Sequence, residues 1–129
     1  MAIHVLGFPT RLGIPREESL SGPTALRTAG LIAQLKRFGR PVIDHGDMNL
    51  PPGRREDPPA ERVRKVVAAA RRQKELWRRC GKNPGDLLLT IGGDHSTSLG
   101  TIWALAERGR PFDLLWIDAH GDFNTLETS

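Results

Sequence analysis

Four short apolar runs, separated by stretches with helical periodicity, constrain the fold of this chain more than any other feature of its sequence. The runs are Ile3–Phe8, Pro41–Ile43, Leu87–Ile91 and Leu114–Ile117. Buried strands that alternate with longer helical stretches are typical of parallel sheets. The sequence therefore predicts an α/β fold with a mainly parallel sheet, in which strand and helix alternate three times before a final strand.

Three helices are predicted between these strands. The first begins near Pro23, which suits a first helical turn, and ends before Gly39, with Gly30 weakening it by about 1 kcal/mol. The second extends from Pro59 to Cys80, and the third from about Thr97 to Arg108. The residues of the second helix that we expect to face the sheet are Val63, Val66, Val67, Ala70 and Trp77.

Length and composition indicate one domain. The chain has 129 residues and one cysteine, Cys80, so no internal disulfide can form. The start is too poor in apolar residues for a signal peptide, and no apolar run approaches the length that spans a membrane. We therefore expect a cytoplasmic protein with no membrane partner.

The formal net charge is +4, and the basic residues are dense between Arg54 and Lys82. This density fits a solvated helix face, and it also keeps a nucleic-acid-binding protein as an alternative. The chain has no tyrosine and few aromatic residues that could stack on bases. We therefore expect no nucleic-acid partner.

The residues that follow the fourth apolar run carry the chemistry. Asp118, His120 and Asp122 are spaced by two, so on a strand their side chains would point to one face. Asp118 and Asp122 would lie about 13 Å apart on a fully extended chain, so the chain must curl at Gly121 if one ion is to reach both. Carboxylate and imidazole together predict a divalent-metal site.

A second polar cluster follows the third apolar run. Gly92 and Gly93 suit a close backbone approach or a sharp turn. They place Asp94 and His95 at the carboxyl end of a strand, where open α/β sheets build their sites. Two strand ends that each carry His and Asp strengthen the prediction of a metal site.

These two clusters make the sequence recognisable. Gly92–Ser96 (GGDHS) followed by Asp118–Asp122 (DAHGD) resembles the paired metal motifs of the ureohydrolases, the family of arginase, agmatinase and their relatives. Asn124 and the Thr/Ser-rich end of the chain, up to Ser129, resemble the arginases in particular. Two further segments with family-like sequence are Gly22–Leu31 and Asp44–Asp47.

The resemblance implies a three-layer α-β-α fold with an arginase-like sheet and a site for two Mn²⁺ ions. By that resemblance, His95, Asp118 and Asp122 would hold the first ion, His120 would hold the second, and Asp118 would bridge both. Asp94 would orient a neighbouring ligand. The ions would lower the pKa of a shared water.

The resemblance also implies the reaction. The guanidinium group of L-arginine would be hydrolysed to ornithine and urea, with Asn124 and Ser129 near the amino-acid end of the substrate. The family's catalytic histidine, two more aspartates and a late glutamate would lie beyond the end of the chain. We therefore expect an amino-terminal portion of a single ureohydrolase domain, truncated after about the fourth strand, with little or no activity by itself.

The resemblance further implies how this portion would pair and assemble. In the family's sheet, two later strands lie between the third and the fourth, so strand four is not expected to pair with strand three. The family forms homo-trimers or hexamers, and we do not expect this portion to do so.

Three alternatives stay open. The chain could act on agmatine, guanidinobutyrate or formiminoglutamate, although Asn124 favours arginine. It could be a non-enzymatic truncated paralogue that binds a partner subunit, or a nucleic-acid-binding protein that uses its basic helix.

Overall fold

A computed structural model describes residues 1–13, 16–50, 54, 56–80 and 82–119. Within this part, three strands form one parallel sheet in the order β2–β1–β3. The strands are β1 (Ile3–Phe8), β2 (Val42–Asp47) and β3 (Leu87–Gly92). The predicted α/β fold with a parallel sheet is confirmed.

The central strand β1 is buried along its whole length, and Val5 is 0% exposed. Ile3 pairs with Val42 on one side and with Leu87 on the other. A strand covered on both faces and paired on both edges requires a continuous apolar run, which is the pattern that β1 has.

In the described part of the chain, four α-helices cover the two faces of the sheet. Three of them are α1 (Gly22–Thr28), α2 (Leu31–Lys36) and α3 (Pro59–Cys80), and the fourth is α4 (Thr97–Ala106). The predicted bounds of the helix Pro59–Cys80 are confirmed. The single helix predicted between Pro23 and Gly39 is wrong, because Gly30 adopts a left-handed conformation with φ of 90° that separates α1 from α2.

The core has two parts, one on each face of the sheet. On one face, Leu6 and Phe8 pack with Trp77 of α3 and Ala104 of α4. On the other face, Ile3, Val5 and Ile91 pack with Leu31, Ile32 and Leu35, which belong to α2. The described chain therefore has the layered helix–sheet–helix arrangement that the sequence predicts.

The face of α3 that packs on the sheet is narrower than predicted. Ala70 and Trp77 are buried, whereas Val63 and Val67 are 62% and 37% exposed. Gln73, which no apolar pattern marks, is fully buried, and its Nε2 donates hydrogen bonds to Thr90 and Thr101. These hydroxyl groups satisfy the Nε2 end of the buried amide, whereas Gln73 Oε1 has no hydrogen-bond partner among the described residues.

The predicted fourth strand is wrong for the described residues. Residues 110–118 contain no strand, and Leu115 and Ile117 are 82% and 86% exposed. No described strand lies beside this segment, and the backbone of an extended segment needs a partner to form a ladder. Because no strand forms at residues 110–118, the expectation that a fourth strand does not pair with the third stays a prediction.

Candidate metal centre

The turn after β3 brings the backbone of three segments together. A Cβ atom on Gly93 would overlap the carbonyl oxygens of Thr10 and Ser19, and the Gly93 amide donates a hydrogen bond to the Phe8 carbonyl at 3.2 Å. Only glycine fits such an approach. The close backbone approach predicted from Gly92 and Gly93 is confirmed.

Asp94 fixes this turn from within. Its carboxylate is buried and accepts hydrogen bonds from the amides of Gly13 and Ser96, each at 2.9 Å, and from the Ser96 hydroxyl at 2.5 Å. The loop after β1 is thereby tied to the start of α4. This arrangement directs His95 outward, and the role predicted for Asp94, to orient a neighbour, stays a prediction.

His95 and Asp118 come together from separate segments of the chain. The Nδ1 atom of His95 lies 3.2 Å from Oδ2 of Asp118, although 22 residues separate them in the sequence. The His95 side chain is 61% exposed, whereas that of Asp118 is 10% exposed. The Trp116 ring packs edge-on against the His95 ring, with 5.6 Å between centroids. One face of the imidazole is therefore shielded and the other is open.

The donor atoms of this pair fit a divalent ion. Two neighbouring ligands of an octahedral ion with bonds of about 2.1 Å lie about 3 Å apart, and the separation in this pair is 3.2 Å. Mn²⁺ prefers nitrogen and oxygen donors such as these to sulfur donors. Within the described ranges, no group of three or more His, Cys, Asp or Glu residues is arranged so that it could hold a metal ion. The structure therefore contains two members of the predicted ligand set.

The remaining predicted site residues lie outside the described residues. They are His120, Asp122, Asn124 and Ser129. Their assignment to metal or substrate stays a prediction.

An ion-pair cluster at the carboxyl end of β2 was not anticipated from the sequence. Arg27 of α1 donates two hydrogen bonds to Asp44 at 2.8 Å and one to Asp47 at 2.5 Å. The Arg27 guanidinium holds the pKa of Asp44 below its usual range, and the two carboxylates raise the pKa of Arg27. The sequence did contain a signal for this cluster. Arg27 is the only arginine of the family-like segment Gly22–Leu31, and the segment Asp44–Asp47 begins and ends with an aspartate.

Two histidines join β1 and β2 beside this cluster. The His4 Nδ1 and His45 Nε2 atoms are 3.0 Å apart, and the two rings are stacked with 4° between their planes. His4 also lies 3.4 Å from a carboxylate oxygen of Asp86. Burial first, and then the neighbouring His4, lower the pKa of His45. This pair connects strands and does not approach His95 or Asp118 among the contacts of the described residues.

No helix in the described part of the chain is long and apolar enough to cross a membrane. Residues 1–129 match the family model described as the arginase family.

Individual relatives agree with this match. The chain is 36% identical over 132 residues to the arginase of Bacillus caldovelox, covering 98% of this chain and 44% of that protein. It is 34% identical over 132 residues to arginase-1 of Homo sapiens, covering 98% of this chain and 40% of that protein. The chain thus spans less than half the length of these relatives.

The fold agrees as well. The crystal structure of the B. caldovelox arginase is similar with a TM-score of 0.86 at 32% identity, over 99% of this chain and 44% of that one. An arginase structure from Bacillus cereus gives a TM-score of 0.85 at 32% identity, over 100% and 43% of the two chains.

Proposed function

The chain belongs to the arginase family, and from this premise we propose that its strand-end residues contribute to a binuclear manganese centre that hydrolyses the guanidinium group of L-arginine to ornithine and urea. The observation that supports this most is the approach of His95 to Asp118 at 3.2 Å. These two side chains come from the two motifs that the family's metal site requires.

Each residue of the site has a role in the proposal. His95, Asp118, His120 and Asp122 would hold the two ions. When bound, the ions would supply a hydroxide at neutral pH, because a metal ion lowers the pKa of water. The buried carboxylate of Asp94 keeps the turn rigid, so that His95 is held in position before any ion binds.

We propose that two residues near the end of the chain determine the substrate specificity. Asn124 and Ser129 hydrogen-bond the amino-acid end of arginine, whose carboxylate is missing from agmatine. A site built to hydrogen-bond a polar group rejects analogues without it, because its own polar atoms are then left unpaired. The relatives reported above are named arginases, which favours arginine over agmatine.

Membership of the arginase family also supports a proposal about the domain and its oligomeric assembly. We propose that residues 1–129 are the amino-terminal portion of one ureohydrolase domain and that the complete domain forms a homo-oligomer. The exposed apolar side chains of Leu115 and Ile117 support the need for further sheet partners. By itself, the chain is expected to release little urea.

A segment exchange tests the proposed activity. Residues 1–129 replace the matching segment of the B. caldovelox arginase, and urea release is measured with L-arginine, agmatine and guanidinobutyrate in the presence of Mn²⁺. We expect the exchange protein to hydrolyse L-arginine. The His95→Ala variant should release urea on the order of 100-fold more slowly, a loss at least as large as that from removing a residue that only supports a metal ligand. The matched control is His45→Ala, which removes an imidazole outside the site.

Two results would contradict the proposal. One is preference for agmatine or guanidinobutyrate over L-arginine, which would assign a different ureohydrolase activity. The other is full activity of the His95→Ala exchange protein, which would remove His95 from the metal site.

A further inference from the structure

A cleft of about 620 Å³ lies between the carboxyl end of β2 and α3, and neither His95 nor Asp118 lines it. Three arginines of α3, Arg71, Arg72 and Arg79, line one wall. Leu6 and Met48 lie at its base and are almost fully buried. The volume is within the range of small-molecule sites, roughly 300–1,000 Å³.

The two carboxylates that line this cleft are already paired with other cations. Glu75 lies 3.2 Å from Arg78, and Asp47 accepts the hydrogen bond from Arg27. In the described ranges, Arg71, Arg72 and Arg79 have no ion-pair partner. Three uncompensated guanidinium groups on one wall of a concave surface give it a positive potential that attracts anions.

Apart from the three arginines and the two paired carboxylates, the cleft is lined by His45 and by uncharged side chains. His45 lines the cleft opposite α3, and burial first, then the nearby His4, lower its pKa, which favours the neutral imidazole. Leu76 lies one helical turn from both Arg72 and Arg79 and adds apolar surface between them. The cleft therefore offers guanidinium donors above an apolar base.

We propose that this cleft binds a small organic anion, a phosphate or carboxylate group attached to an apolar body. The planar guanidinium group pairs with either anion through two parallel hydrogen bonds, and the body would cover Leu6 and Met48. The site lies at β2, whereas His95 follows β3, and β1 separates the two strands. The cleft and the pair His95–Asp118 share no lining residue.

Calorimetric titration of the 129-residue chain with phenyl phosphate, benzoate and inorganic phosphate tests this proposal. We expect phenyl phosphate to bind about tenfold more tightly than inorganic phosphate, because roughly half of the ring would be buried. Comparison with benzoate distinguishes a phosphate site from a carboxylate site. In ¹⁵N NMR spectra, the backbone signals of Arg71, Arg72 and Arg79 should shift.

Variants with matched charge locate the site. Arg72→Gln with Arg79→Gln should raise the Kd for phenyl phosphate about tenfold, the effect expected when charged hydrogen bonds are lost. Arg37→Gln with Arg64→Gln removes the same charge elsewhere and should change the Kd less than twofold. All four side chains are exposed or contact only neighbours on their own helix, and circular dichroism confirms that each variant is folded.

Three outcomes would overturn the proposal. Equal losses in the two double variants would mean that only net charge attracts the anion. Equal affinity for phenyl phosphate and inorganic phosphate would mean that the apolar base takes no part. Tighter, strongly salt-dependent binding of a DNA duplex that also weakens in both double variants would assign the basic surface to nucleic acid.

Discussion

Two runs of this chain, Ile3–Phe8 and Leu114–Ile117, are both mainly apolar in sequence but lie in opposite environments. The first is β1, which is buried between two strands and two layers of helices. The second has no strand beside it in the described part of the chain, and Ile117 is 86% exposed. An apolar run therefore indicates that a segment can become a buried strand, but neighbouring strands decide whether it does.

The largest effect is expected from a comparison of two tryptophans. Trp77 is 1% exposed and its indole donates hydrogen bonds to Thr90 and Thr101 at 3.1 Å, so Trp77→Ala should lower the free energy of unfolding by about 3–5 kcal/mol. Trp116 is 46% exposed and contacts His95 by its edge, so Trp116→Ala should cost less than about 1 kcal/mol. Urea denaturation measures both values. Equal losses would mean that the second run is packed in solution.

Two leucines sharpen the same comparison. Leu6 is 2% exposed in β1, and Leu115 is 82% exposed. Leu6→Ala should destabilise the chain by about 2–5 kcal/mol, because it leaves a cavity beside Trp77. Leu115→Ala should stay within about 0.5 kcal/mol of the parent chain. A large loss for Leu115→Ala in the same denaturation assay would contradict the exposed position of this segment.

A smaller change in the free energy of unfolding is expected at the carboxyl end of β2, where an ion pair rather than burial stabilises the structure. The hydrogen bonds from Arg27 lower the pKa of Asp44 in the folded chain. The stabilisation is therefore complete above the unfolded pKa, about 4, and is lost as the pH falls through the lower folded pKa. Arg27→Gln should cost about 1 kcal/mol at pH 7, because the pair is partly exposed.

The pH dependence of that variant provides the control. The free energy of unfolding of Arg27→Gln should fall less steeply than that of the parent between about pH 5 and pH 2. Arg37→Gln loses the same charge, but its hydrogen bond is to Gln34, and it should keep the parent slope. Identical slopes for all three proteins would remove Arg27 as the cause of the shift.

The sequence predicted the helices and strands that depend mainly on short-range features of the chain. The helix Pro59–Cys80 and the strand Ile3–Phe8 follow from apolar periodicity and from the proline and glycine residues at their ends, and the strand predicted at Leu87–Ile91 is one residue shorter than β3. The break at Gly30 and the extension of β2 to Asp47 were not predicted. A left-handed glycine leaves no periodic signal, and β2 includes acidic residues because its ladder to β1 and Arg27 hold them there.

The candidate site was predictable in part for a different reason. Asp94 and His95 could be placed because a glycine pair marks the end of a strand, and the structure brings His95 to Asp118 even though the fourth strand does not form. The cleft lined by Arg72 and Arg79 could not be predicted. Its walls come from β2 and α3, and only the fold shows that Glu75 is turned toward Arg78.

Titration of the 129-residue chain with Mn²⁺, followed by calorimetry, tests the central claim most directly. The parent chain should bind Mn²⁺, His95→Ala should weaken the binding at least about tenfold, and His45→Ala should leave it within about twofold. Binding that is equally strong in the parent and in His95→Ala, or that is lost in His45→Ala instead, would contradict a metal centre at His95 and Asp118.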